Sequence, residues 1–342
     1  MSKKYSHIVY IGRMQPPTKA HIATIKKALE LSDRVIVLLG SSNQPRTIKN
    51  PWNHYERASM ILNELPPECS GRICFKRLSD FRYNDQEWVS EIQKIVKTET
   101  SGYNSKIGII GYKKDQSSYY LNYFPQWDFI EVDNIQDINA TEVRNHYFMD
   151  NFFSWRDYDL ISSELKSYLQ KWSNSEAYKS LKSEYNCINE YKSAWKNSPY
   201  PPTFVTVDAV VIQSGHILLV QRRAAPGKGL WALPGGFINQ NEFIKDAVIR
   251  ELKEETKIKV PEPVLRGSII GNSVFDNPNR SLRGRTITHA YAFLLPSGEL
   301  SKVKGSDDAE KAKWFPIDDV LEMEEFLFED HLDIIFWSIN IK

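Results

Sequence analysis

The strongest constraint on the fold lies in the first 130 residues, where short β-rich runs alternate with amphipathic stretches. The runs cover His7–Ile11, Arg34–Leu39, Ile73–Leu78, Lys106–Gly111 and Phe129–Val132, and helical stretches fall near His21–Leu31, His54–Leu65 and Asp85–Lys97. Strands spaced by helices of this length predict a parallel α/β sheet with crossover helices. Such sheets bind ligands at the carboxyl ends of their strands.

From Ala140 to Lys196 the pattern becomes helical and rich in Tyr, Trp, Lys, Ser and Glu, and Pro199-Tyr200-Pro201-Pro202 ends it. Beyond that stop, Phe204–Ile212 and His216–Gln221 flank Gln213-Ser214-Gly215 as a hairpin. Further strands are expected over Val264–Gly271 and Thr286–Leu295, around one long helix, with another helix after Trp314-Phe315-Pro316. The expected division is 1–145, a helical connector 146–200, and a mixed α/β domain 201–342. A chain of 342 residues accommodates two separate cores.

Charge and cysteine content exclude several classes. The formal net charge is +1, so no nucleic-acid partner is expected and phosphate binding must come from local groups. Cys69, Cys74 and Cys187 form neither a disulfide framework nor a zinc spacing, which fits a reducing compartment. No run approaches the ~18 apolar residues of a membrane span, and the first residues are unlike a signal peptide. The expectation is a cytoplasmic protein without a membrane partner.

Chemistry concentrates in two places. The first strand runs into Gly12-Arg13-Met14-Gln15-Pro16-Pro17-Thr18-Lys19-Ala20-His21 and then a helix. Gly12 permits a close turn, and backbone N–H groups with the positive helix end favour a phosphate that His21 can reach. In the second half, a helix carrying Glu251, Glu254 and Glu255 sets three carboxylates on one side, a donor set for a hard divalent cation. Ile244, Val248 and Leu252 give that helix an adjoining apolar stripe, and Arg250 is placed to pair with a motif carboxylate.

The segment from Gly236 through Glu242 to Ile258 resembles the Nudix signature GX5EX7REUXEEXGU, with Lys257 in place of the late glycine. That departure questions the turn after the helix and leaves the metal ligands untouched. The resemblance implies that Glu251, Glu254, Glu255 and the Gly235 backbone hold Mg²⁺ or Mn²⁺, with Glu254 and Glu255 catalytic. Gly227 to Gly236 and Arg283 to His289 look like the ADP-ribose pyrophosphatase branch. By that likeness ADP-ribose is cut to AMP and ribose 5-phosphate, Phe275 stacks on a base and Arg285 meets phosphate. For the last two residues, packing and surface charge are the competing roles.

The N-terminal stretch resembles the [HT]xGH nucleotidyltransferase motif, and GRMQP in particular looks like archaeal-type nicotinamide mononucleotide adenylyltransferases. Ile138 to Arg144 is similar to ISxTxxR, and Asn50-Pro51-Trp52 with Glu56-Arg57 matches the family's NP-aromatic and ER segments. Tyr83-Asn84-Asp85 with Trp88, and Lys113 to Ser117, resemble stretches found when the transferase is fused to a Nudix domain. Ala20 and Asn139 depart from the usual glycine and serine.

This resemblance covers almost the whole chain and implies a Rossmann-like nucleotidyltransferase sheet followed by a Nudix α/β/α sandwich. It implies joining NMN to ATP to give NAD and pyrophosphate, with Mg²⁺ or Mn²⁺ at both sites and no covalent intermediate. His21 and Arg144 carry catalysis, and His21, Arg144 and Lys114 supply positive charge. Gly12, Arg13, Met14, Gln15, Trp52, Arg57, Lys114, Asp115 and Thr141 bind substrate. Trp88 stacks on nicotinamide or serves as a core tryptophan. The competing reading is a transferase for another phosphate ester fused to a non-catalytic ADP-ribose sensor. A homo-oligomer is compatible with either.

Overall fold

The computed structural model describes residues 3–101, 106–112, 121–133, 139–149, 160–306 and 309–341. The chain divides into two compact units, Met1–Lys182 and Ser183–Lys342. The helix-rich segment falls in both, since α6 (Glu176–Ala194) crosses the division.

In the first unit five parallel strands, β1 (Tyr5–Gly12), β2 (Ser32–Leu39), β3 (Ile73–Arg77), β4 (Ile107–Gly111) and β5 (Asp128–Glu131), run in the order β3-β2-β1-β4-β5. Both faces are covered, which explains why β1 and β2 read as nearly continuous apolar runs. On one face Ile22, Ile25, Ala28 and Leu29 of α1 (Lys19–Leu31) pack with Ile8, Val35 and Val37. On the other, Ile92 and Val96 of α3 (Asp85–Glu99) meet Val9, Ile36, Leu38 and Ile109. The order reverses direction beside β1, so the crevice lies where β1 ends at Gly12 and β4 at Gly111.

Helices α2 (His54–Leu62), α4 (Ala140–Phe148) and α5 (Ser163–Trp172) brace that end. Trp52 sits between Tyr147 and Trp172, with ring centroids 5.8 and 5.5 Å away, and the Tyr147 hydroxyl donates to Leu169 O at 2.8 Å.

The second unit is a mixed sheet of β6 (Thr203–Gln213), β7 (His216–Arg222), β10 (Ile269–Phe275), β11 (Arg285–Leu294) and β12 (Ala309–Pro316), ordered β10-β11-β6-β7-β12, with β8 (Trp231–Ala232) on β7 and β9 (Gly235–Phe237) on β6. Helix α7 (Ile244–Thr256) covers one face through Ala247, Val248 and Leu252 against Val207, Ala209 and Val211. Helix α10 (His331–Ile339) covers the other through Ile334 and Ile335 against Val210, Ile212 and Leu219. The alternation along β6 thus feeds two cores, the α/β/α sandwich. Ser214 and Gly215 have φ of 46° and 74°, the paired positive values of a tight hairpin turn.

One expected strand is corrected. Val264–Gly267 belongs to α8 (Glu262–Gly267), and the strand is β10 (Ile269–Phe275). Pro261 opens that helix: its carbonyl accepts from Val264 N at 3.0 Å and Leu265 N at 3.1 Å. Strands β8, β9 and β12 (Ala309–Pro316) carry no separate signal, the first two being too short for periodicity. Trp314 and Phe315 lie in β12, paired with Leu218 and Ile217, and α9 (Ile317–Glu322) and α10 follow.

Candidate active sites

The loop from Gly12 to Thr18 is held from behind. Fully buried Arg57 donates through Nη1 to Arg13 O and Gly40 O at 2.5 and 2.8 Å, and through Nη2 to Ser42 Oγ at 3.1 Å. Arg144 on α4, 5% exposed, donates to Gln15 O at 2.5 Å and Thr141 Oγ1 at 3.0 Å. The Gln15 side chain pairs with both backbone groups of Trp52, at 2.7 and 3.1 Å. Met14 is buried with φ of 49°. Glu56 and Asn53 exchange bonds at 2.8 and 2.9 Å, capping α2.

Three sequence assignments change accordingly. Arg57, Trp52 and the Gln15 amide are spent on the protein itself, Trp52 being 1% exposed. They shape the loop: the hydrogen bonds of the Arg57 guanidinium end on loop or helix-start oxygens. Trp88 packs partly buried on the α3 core side, 6.4 Å from the Phe124 ring. Thr141 is exposed at the start of α4, where the Asn139 side chain accepts its N–H at 2.9 Å, so asparagine serves as the cap. Lys114 and Asp115 lie outside the described residues.

His21 differs in charge from its expected role. Its Nδ1 accepts the Thr18 N–H at 2.9 Å and lies 2.7 Å from Thr18 Oγ1, so Nε2 carries the proton. Burial pushes the imidazole down to about 4. At neutral pH His21 is therefore a neutral donor, not a cation. Positive charge comes instead from Arg13, Arg144, Arg82 and Lys49, the last two missed in the sequence because neither stands in a motif. Burial, then Arg13 and Arg82, lower Lys49 to about 8, with Asp80 opposing. Among the described residues the side chains of Arg13 and Lys49 have no hydrogen-bond or ion-pair partner. Like charges gathered this way require an anion.

The second site is a cavity of ≈ 380 Å³ under β9 and the start of β6. Gly236 meets the Glu251 carboxylate so closely that a Cβ there would lie 2.6 Å from Oε1. Gly235 donates its N–H to Glu255 Oε2 at 3.0 Å. Arg250 forks onto Glu242 at 3.0 and 2.6 Å, and its Nη1 reaches Glu251 Oε1 at 2.8 Å and Glu254 Oε2 at 2.9 Å. Arg250 holds Glu242 down at about 2, whereas burial raises Glu251 and pushes Glu255 up to about 8. Among the described residues no group of three His, Cys, Asp or Glu is arranged to hold a metal as it stands, since Arg250 and Gly235 engage the carboxylates. The donor set nonetheless fits a hard divalent cation: three carboxylates line one cavity, over a glycine floor no side chain can fill.

Lys257 resolves the doubt about the box's late position: it takes φ 47° and ψ 31°, the left-handed cap, and its N–H reaches Lys253 O at 3.0 Å. Two substrate assignments are corrected. Phe275 is 5% exposed in the core, edge-on to Trp337 at 5.8 Å, and cannot stack on a base. Arg285 donates to Asp276 O and faces its carboxylate at 3.6 Å, and it does not line the cavity. The cavity takes Arg223, Arg283, Phe237 and Glu329 instead, with Arg283 over the Phe237 ring at 5.2 Å. Beneath them Arg280 forks onto Asp330 at 2.8 and 2.9 Å, Thr288 donates to Asp208 at 2.6 Å, and Leu233 N–H donates to His331 Nδ1 at 2.8 Å. The run Glu329-Asp330-His331 was the available sequence signal.

Fold and sites define a nucleotidyltransferase unit joined to a Nudix unit. The NUDIX domain pattern matches residues 202–337 and the Cytidylyltransferase-like pattern residues 9–64. The chain is 37% identical over 183 residues to a nicotinamide/nicotinic acid mononucleotide adenylyltransferase of Acinetobacter baylyi, covering 53% of this chain and 94% of that protein. It is 34% identical over 131 residues to an ADP-ribose pyrophosphatase of Methanocaldococcus jannaschii, 37% of this chain and 72% of that one. Crystal structures of a bifunctional NMN adenylyltransferase/ADP ribose pyrophosphatase from Francisella tularensis superpose with TM-scores of 0.89, and 0.88 in complex with AMP and a Mn ion. Each is 38% identical and covers 98% of both chains. The chain belongs to the family of bifunctional NMN adenylyltransferase/ADP-ribose pyrophosphatases.

Among the described residues no helix is long and apolar enough to cross a membrane.

Proposed function

We propose that the chain makes NAD and pyrophosphate from NMN and ATP at its first site and hydrolyses ADP-ribose to AMP and ribose 5-phosphate at its second. The observation that carries this is the likeness along 98% of the chain to a protein with both activities in its name, together with two separate constellations that suit them. Residues 1–145, 146–200 and 201–342 then act as transferase, connector and hydrolase, in the cytoplasm, where these nucleotides circulate.

In the transfer an NMN 5′-phosphate oxygen forms a bond to the α-phosphorus of ATP as the bond to the β-phosphate oxygen breaks, and pyrophosphate leaves. His21 donates its Nε2 proton as a hydrogen bond to a phosphate oxygen, and Arg13, Lys49 and Arg144 offset the growing charge. Arg57 and Gln15 keep the loop shaped for this without touching the nucleotides.

In the hydrolysis water adds to a phosphorus of the pyrophosphate and the bridging P–O bond breaks. Glu251, Glu254 and Glu255 would hold a divalent cation, Mg²⁺ or Mn²⁺, which when bound would supply the positive charge that polarises a phosphoryl oxygen and favours hydroxide. Arg250 keeps Glu242, Glu251 and Glu254 on one side of the cavity, and Arg223 and Arg283 offer charge to the substrate phosphates. The full carboxylate set weighs against a purely sensing role.

The test is to incubate the protein with ATP and each mononucleotide, and separately with ADP-ribose, across Mg²⁺ and Mn²⁺. NAD and AMP are the expected products. Binding of ADP-ribose without AMP release would overturn the hydrolase half, and transfer only to another phosphate ester would overturn the other.

A further inference from the structure

The box carboxylates leave one acidic side chain of the second cavity unexplained. Glu329 lines it from the loop before α10, where burial raises its carboxyl, Arg283 and Arg280 lower it, and the Ser281 hydroxyl bonds to it. It is thus not on α7, which carries Glu251, Glu254 and Glu255.

Its backbone is also unusual. Glu329 has φ of 48°, a left-handed value that costs a side-chain-bearing residue strain. The residues around it are fixed: Phe328 N donates to Trp231 O at 2.8 Å, Arg222 covers the Phe328 ring at 3.9 Å, Asp330 is forked by Arg280, and His331 accepts from Leu233 N. The flanks hold this carboxylate in a conformation a glycine would adopt more easily.

Arg223 and Arg283 of this cavity can meet phosphate oxygens, whereas the Glu329 carboxyl offers acceptors that phosphate oxygens cannot use. It accepts hydrogen bonds through two oxygens, which matches neighbouring hydroxyls. We propose that Glu329 is the sugar-recognition residue of the hydrolase site, accepting the vicinal hydroxyls of a ribose of the substrate. This rests on the ADP-ribose reading. The adenosine ribose and the terminal ribose share the chemistry, and the two products separate them.

The experiment compares full-length protein with Glu329→Ala and Glu329→Gly, measuring kcat and KM for ADP-ribose across pH and inhibition by AMP and by ribose 5-phosphate. A lost charged hydrogen bond predicts a KM raised on the order of 10- to 100-fold, with the shape of the kcat–pH profile unchanged. Weaker inhibition by ribose 5-phosphate alone assigns Glu329 to the terminal ribose, and by AMP alone to the adenosine ribose. Because glycine suits a positive φ, Glu329→Gly should melt no lower than wild type while its KM rises. Unchanged KM and unchanged product inhibition would overturn the assignment, as would a fall in kcat with an altered pH profile at constant KM. If wild type itself releases no AMP from ADP-ribose, the underlying reading fails instead.

Discussion

The two sites meet the same ligand group, a chain of phosphates, with opposite charge. The first presents Arg13, Lys49 and Arg144 around a neutral His21, and the Arg13 and Lys49 side chains make no hydrogen bond or ion pair among the described residues. The second presents carboxylates and carries its own counter-ion, Arg250 between Glu242, Glu251 and Glu254. On the proposed reading, one holds phosphate with built-in cations and the other takes up a cation on its acids, with an arginine between them in the free protein. A basic site is paid for by repulsion in the free protein, an acidic one by dependence on an ion.

The largest expected effects test whether the sites are separate. Glu254→Gln should lower ADP-ribose hydrolysis by roughly 10³-fold or more and leave NAD synthesis intact, and His21→Ala should lower NAD synthesis by about 10²-fold or more and leave hydrolysis intact. Loss of both activities in folded protein from either change would break the comparison. Next, Arg57→Ala strips a buried guanidinium from four acceptors and should cost about 2–4 kcal/mol, read by denaturant unfolding. Glu255 hydrolysis chemistry should persist in that variant.

Arg250→Ala sharpens the counter-ion argument. Without metal the variant should melt about 2–6 °C below wild type, and Mg²⁺ or Mn²⁺ should raise its melting point more than that of wild type. Equal metal responses would show that Arg250 does not stand in for the ion. The basic site has a pH counterpart. Burial lowers His21 from 6.5 to about 4, so its contribution to stability is full above 6.5 and is lost as pH falls from 6.5 towards 4. The stability difference between wild type and His21→Gln should therefore shrink over that range in unfolding titrations; a constant difference would refute the neutral-donor reading. Smallest is Lys257→Gly, which should stabilise by about 1 kcal/mol by relieving the left-handed cap.

The sequence was most informative where chemistry is local. Glu251, Glu254 and Glu255 share a helix side by spacing alone, and the strand ending at Gly12 needed only its apolar run. It misled where a motif says which residues matter without saying which way they face. Trp52 and Arg57 match a substrate-site pattern, but long-range packing against Tyr147, Trp172 and the loop carbonyls turns them inward. Phe275 and Arg285 failed similarly, since which side of β10 and β11 meets the cavity depends on sheet pairing far along the chain. Glu329 was hidden because its backbone strain and its arginine neighbours exist only in the folded chain.

The glycine floor of the second cavity limits how this enzyme can diversify. A Cβ on Gly235 would come within 2.1 Å of Val207 O and one on Gly236 within 2.6 Å of Glu251 Oε1, so both positions are closed to the other nineteen amino acids without moving backbone or carboxylate. New substrate preferences must then arise by exchange at the walls, at Arg223, Phe237, Arg283 and Glu329, while the floor stays as a fixed datum from which the cut is measured.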